Sequence, residues 1–96
     1  DSRSLEALVL DAVSAVLGVP VDRILSPSRS APIVRARQAC MVLLREAGMS
    51  LPAVGKALGR HHSTVIHGLA RAAASPILEA CRVAFRVRLA AQARRR

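Results

Sequence analysis

The stretch that decides the fold is Ser50–Ala70, SLPAVGKALGRHHSTVIHGLA. Ser50 is a good N-cap residue, because its hydroxyl can accept from a backbone N–H two or three positions on. Pro52 sits in the first turn, where a missing N–H costs nothing. These signals predict a short helix over 51–58, ended by a turn at Gly59-Arg60. A second helix follows over about 61–74, HHSTVIHGLARAAA, polar in its first turn, with Val65, Ile66, Leu69 and Ala73 facing inward. Short helix, glycine turn and second helix make residues 50–74 a helix-turn-helix. Gly55 lets the two backbones approach closely. The second helix can then present its N-terminal turn to the DNA major groove, where Arg60, His61, His62, Ser63 and Thr64 supply donors, acceptors and a methyl group for base edges. Free N–H groups at the starts of both helices favour phosphate oxygens.

Outward from this unit the chain reads as further helices. Before it, APIVRARQACMVLLREA predicts a helix over about 32–47, with Pro32 in the first turn and Ile33, Ala36, Cys40, Leu43, Leu44 and Ala47 on its buried stripe. Arg35, Gln38, Arg45 and Glu46 lie off that stripe and Arg37 near its margin. The segment SPSRSAP (26–32) predicts an exposed loop with Arg29 at its centre. Residues 20–25 predict one helical turn burying Val21, Ile24 and Leu25. In the leading helix (1–18), Leu5, Leu8, Val9, Ala12, Val13, Val16 and Leu17 recur at helical spacing, between a Ser4 cap and a Gly18 stop. After Ser75-Pro76 comes a last, basic helix over about 77–93, burying Ile77, Leu78, Cys81, Phe85 and Leu89 and trailing into Arg94-Arg95-Arg96. The expected fold is all-α, a single domain of five or six helices around the helix-turn-helix, with residues 76–96 as a basic C-terminal helix.

Composition narrows the function. A chain of 96 residues forms one modest core, built here from aliphatic side chains, since Phe85 is the single aromatic residue. Residues 1–22 hold four acids and one base, net −3, while residues 23–96 hold fourteen bases and two acids, net +12. A basic body of this kind suits a polyanion. Single-strand recognition would want aromatic platforms, which are missing. No apolar run approaches the ~18 residues of a membrane span. A leader is not expected, because Asp1, Glu6 and Asp11 fall where one would carry positive charge. Starting at Asp1 without Met, the chain is expected to be a trimmed product or an excised segment. No P-loop or GxGxxG is present, so nucleotide-driven chemistry, and enzyme activity generally, is not expected. Cys40 and Cys81 lie on apolar stripes, so neither a metal site with His61, His62 and His67 nor a Cys40–His62 dyad is expected, nor any cofactor. A reducing cytosol suits two such cysteines.

Particular residues sharpen this. Ala36-Arg37-Gln38, Leu44-Arg45-Glu46, Ser50-Leu51-Pro52, Val54-Gly55, Gly59-Arg60 and His62-Ser63-Thr64-Val65-Ile66-His67, preceded by the loop SPSRSAPIVRARQ, resemble the C-terminal DNA-binding domain (domain IV) of the bacterial replication initiator DnaA, a Trp-repressor-like helix-turn-helix. The resemblance spans about residues 19–73. It implies that Arg29 enters the minor groove and that His62 and Ser63 contact bases. It further implies phosphate contacts from Arg37, Gln38, Arg45, Thr64 and His67, and from the backbone at Leu51 and Pro52. Arg35 and Lys56 join the phosphate set, and Arg60 and His61 the base set. Two departures stand out: His61 occupies a position where the family has Asp, and Ala31 replaces a second basic residue of the loop.

The expected function is sequence-specific binding of double-stranded DNA by a monomer, in the cytoplasm at the nucleoid. The favoured role is a transcription regulator, such as an activator of gene-transfer-agent or prophage-like genes, working with RNA polymerase or a second regulatory subunit. One alternative is the excised DNA-binding domain of a replication initiator reading origin boxes. Another is an interaction module that docks an acidic partner through the basic C-terminal helix.

Overall fold

The structure, a computed structural model, describes residues 3–95 and contains six helices: α1 (Leu5–Leu17), α2 (Val21–Ile24), α3 (Ala31–Glu46), α4 (Leu51–Leu58), α5 (His62–Ala72) and α6 (Ile77–Arg94). Among the described residues there is no strand. Local chemistry sets the ends. Ser4 Oγ accepts from the Ala7 N–H at the start of α1, and Gly18 ends it in the left-handed region at φ 68°. Ser50 Oγ accepts from the Ala53 N–H at the start of α4, and Gly59 ends that helix at φ 66°. An L side chain pays heavily for that conformation, so the glycine fixes where the chain leaves α4.

Helix α3 is the central pillar. It buries Ile33, Ala36, Arg37, Ala39, Cys40, Met41, Val42, Leu43 and Leu44, and it packs against all five other helices. Fully buried Leu44, Val54, Leu58 and Val65 lock α4 and α5 onto it. Each such side chain contributes about 1.5–3 kcal/mol of burial. Helix α6 lies mainly along α1.

Periodicity misplaced several side chains. Val16, Leu25, Ile66 and Leu89, expected inside, are 37%, 41%, 46% and 37% exposed, and Ala47 and Ala73 also face outward. Leu25, Ala47 and Ala73 are the C-caps of α2, α3 and α5, at the ends of the helices rather than along their packed faces. Conversely, Leu10, Ala39, Met41 and Val42 are buried without lying on an expected stripe, because α1 and α3 are enclosed on more than one side. The C-terminal helix continues through Arg94, one residue further than expected, and Arg96 lies outside the described residues.

Candidate nucleic-acid interface

The helix-turn-helix closes on backbone contacts. The Arg60 N–H donates to the Gly55 carbonyl at 2.7 Å. A Cβ on residue 55 would run into the Arg60 carbonyl, which is backbone and cannot step aside. Glycine here is therefore a packing requirement, as its position in the sequence implied. Gly68 plays a similar part against α3, where a Cβ would meet the tip of Met41.

The recognition turn begins one residue later than expected. His61 is the N-cap of α5 rather than its first residue, and its Nδ1 accepts from the Ser63 N–H at 3.2 Å. His61, His62, Ser63, Thr64 and His67 are all exposed. The His61 and His62 rings lie 4.2 Å apart with planes tilted by 36°. Ile66, one turn beyond His62, shares this exposure and gives the face an apolar side chain able to meet a thymine methyl. The i, i+4 spacing from His62 was the signal for it, masked because Ile66 also fits an inward stripe.

The loop before α3 is ordered by its own serines. Ser26 Oγ donates to the Arg23 carbonyl, while the Ser28 N–H donates to Ser26 Oγ and the Ser30 N–H to Ser28 Oγ. Arg29 projects from this frame, exposed. Two arginines expected on DNA hold this frame through their guanidinium groups. Arg37, expected against a phosphate, is only 6% exposed. It donates to the carbonyls of Ile24, Ser26 and Ser28 at 2.9, 2.7 and 3.2 Å. Burial, and then the nearby Arg60 cation, push its pKa down; no carboxylate among the described residues pairs with it, and carbonyl dipoles stabilise the charge. Arg60, expected at a base edge, donates to the carbonyls of Leu58 and Gly59 and, at 2.6 Å, to that of Ser26. The Ser26 carbonyl is thus shared by both guanidinium groups, which ties the loop to the turn of the helix-turn-helix.

Most of the remaining candidates gather along α3 and α5. Gln38, Thr64 and His67 line a groove of about 190 Å³ with Arg37, Arg60 and Arg71. Arg29 and Arg35 line an adjoining groove of about 460 Å³ with Gln38, Arg71 and Ser75. Arg71, missed in the sequence, is the cation common to both. Arg45, Leu51, Pro52 and Lys56 line neither groove, and Arg45 donates to the Met49 carbonyl at 3.0 Å. In the first turn of α4, Pro52 has no N–H and that of Ala53 is held by Ser50, so Leu51 supplies the one amide left open there.

Cys40 and Cys81 are fully buried. Burial pushes the Cys40 thiol up to about 12 and raises that of Cys81. Both are un-ionised core side chains. No helix of the described residues is long and apolar enough to cross a membrane.

A capped short helix, a glycine turn and a second helix with an exposed polar start define a helix-turn-helix DNA-binding domain. The chain belongs to the bacterial DnaA protein helix-turn-helix family, whose model matches residues 7–71. It is 40% identical over 67 residues to the chromosomal replication initiator protein DnaA of Mycoplasma pneumoniae, covering 69% of this chain and 15% of that protein. To the protein of the same name from Thermomicrobium roseum it is 45% identical over 64 residues, covering 65% and 14%. The Kosmotoga olearia protein matches at 40% over 65 residues, covering 67% and 14%. The chain spans about a seventh of the length of these relatives. Helix α6 lies beyond the residues that the family model matches.

Proposed function

We propose that this domain reads double-stranded DNA sequence-specifically, with the first turn of α5 in the major groove and Arg29 in the adjacent minor groove. The observation that carries this is the exposed turn His61–Thr64, flanked by grooves whose cations Arg29, Arg35 and Arg71 have no carboxylate partner among the described residues. Gln38, Thr64, His67, Arg71 and the Leu51 N–H are placed to hold phosphates and set the register. Arg35, Arg45 and Lys56 are exposed and extend the positive face.

Two roles suit such a reader. The relatives named as chromosomal replication initiators support origin-box recognition. His61, at a position where the resemblance implies that most of the family has Asp, supports a different target and hence a transcription regulator acting with RNA polymerase or a second subunit; either role would put the protein at the nucleoid. Mapping bound sites across the genome separates the two, since clustering at the origin supports the first and promoters the second. The DNA-reading itself is tested by titrating a duplex selected by the protein. His62→Ala and Arg29→Ala should each weaken binding, and unchanged affinity in both would overturn the assignment.

A further inference from the structure

The N-cap of α5 is closed by a ring nitrogen rather than an oxygen. His61 has extended backbone, φ −67° and ψ 149°, and its Nδ1 lies 3.2 Å from the Ser63 amide nitrogen and 2.8 Å from Ser63 Oγ. An amide N–H only donates, so Nδ1 is the accepting nitrogen. The neutral ring then carries its proton on Nε2. The Ser63 hydroxyl, facing the same lone pair, donates to it as well. Cap and tautomer are therefore a single structural fact: while α5 is capped this way, the other edge of the ring is a donor and nothing else. That edge is open. His61 is exposed, its Nε2 has no protein partner among the described residues, and the His62 ring packed beside it limits how the imidazole can turn.

We infer that His61 determines specificity at one base pair, its Nε2–H demanding a hydrogen-bond acceptor and so preferring guanine and rejecting cytosine. This rests on the placement of α5 in the major groove proposed above. In that groove guanine offers the neighbouring acceptors N7 and O6. Adenine offers N7 beside an N6 donor, thymine offers O4 beside a methyl group, and cytosine offers its N4 donor. A donor-only edge gains most from guanine, tolerates adenine and thymine, and meets cytosine donor to donor. A carboxylate at the same position has the opposite polarity. One oxygen could take the Ser63 N–H and the other would remain an acceptor, selecting cytosine. A carboxamide divides its atoms as the imidazole does, with Oδ1 to the cap and Nδ2–H outward.

The test is selection of bound duplexes from a randomised library by the unmodified chain, His61→Asn, His61→Asp and His61→Ala, with circular dichroism to verify the fold. Asn and Asp are both strong N-caps, so those two variants keep α5. The unmodified chain and His61→Asn should enrich guanine at the same position. His61→Asp should move that position toward cytosine, changing the guanine-to-cytosine ratio by roughly tenfold or more. His61→Ala should lose the preference there and keep it elsewhere. If all four proteins enrich one identical motif, the duplex reading stands and His61 is a cap alone, which overturns the inference. Loss of the preference in His61→Asn also overturns it. If the unmodified chain enriches no motif, the placement of α5 falls together with this inference.

Discussion

The two flanks of the molecule use arginine in opposite ways. Along α1 and α6, Arg3 and Arg88 meet Asp11, Arg82 meets Glu46 and Glu79, and Arg86 meets Glu79, at 2.7–3.6 Å. Along α3 and α5, Arg29, Arg35 and Arg71 meet no carboxylate among the described residues, and Arg37 and Arg60 bind backbone carbonyls. On one side four arginines thus share three carboxylates, while on the other the cations stay without acidic partners. An even basic surface would attract any polyanion from any direction, whereas this one has an orientation before it touches its ligand. It also reduces what α6 can offer an acidic partner at Arg82, Arg86 and Arg88, which already meet carboxylates, and leaves Arg94 and Arg95 as its cations without one among the described residues.

The largest test of this contrast is ionic strength. With roughly five to seven phosphates neutralised, duplex affinity should fall by about 10³ between 50 and 200 mM salt in fluorescence anisotropy titrations. A flat response would mean that the open flank is not the binding surface. Next comes Arg37→Ala, which strands the Ile24 carbonyl inside the protein and should lower unfolding free energy by about 2–3 kcal/mol in denaturant titrations. Arg35→Ala, two residues away but exposed, should stay within about 0.5 kcal/mol. Equal losses would erase the distinction between holding the loop and facing the ligand. Arg35→Ala and Arg71→Ala should each weaken binding to all duplexes alike by about 1 kcal/mol and reduce the salt slope by about one, with Arg86→Ala changing neither.

The smallest effect is acid sensitivity on the paired flank. Hydrogen bonding from Arg88 holds the Asp11 carboxyl below its usual range, and Arg82 does the same for Glu46. A carboxyl with a depressed folded-state pKa stabilises the fold above its unfolded pKa. That contribution is lost as pH falls through the folded value, here below about pH 4. Asp11 is 43% exposed, so solvent screening keeps its share under about 1 kcal/mol. Thermal melts of Asp11→Asn should fall slightly below those of the unmodified chain at pH 6, with the gap narrowing as pH drops below about 4.

Much of the fold was legible from capping chemistry. Ser4, Gly18, Ser50, Pro52 and Gly59 announce the ends of α1 and α4 because each solves a local backbone problem, and local problems are written locally. Arg37 was not legible. Its spacing put it near the margin of the buried stripe and the family resemblance put it on a phosphate, but its hydrogen-bond partners lie 9 to 13 residues earlier in a loop whose path the sequence does not reveal. The pairing of Arg88 with Asp11, 77 positions away, was hidden for the same reason. Ile66 failed differently: helical periodicity counts apolar residues without saying whether another element will cover them. At the candidate interface, the residue types at 61–64 were readable, but the cap that sets the His61 tautomer needed coordinates.

The shared carbonyl of Ser26 turns the domain into a caliper. Because Arg37 grips it from the core and Arg60 from the turn, the base of the serine loop and the start of α5 cannot slide independently. Stretching a duplex by one base pair displaces one groove from the other by about 3.4 Å along the axis and rotates it by about a tenth of a turn. On the placement proposed above, with Arg29 and α5 in adjacent grooves, a rigid two-pronged reader cannot follow, and a target lengthened between the two contacts should lose one prong entirely. In that reading the spacing of a target counts as much as its base sequence.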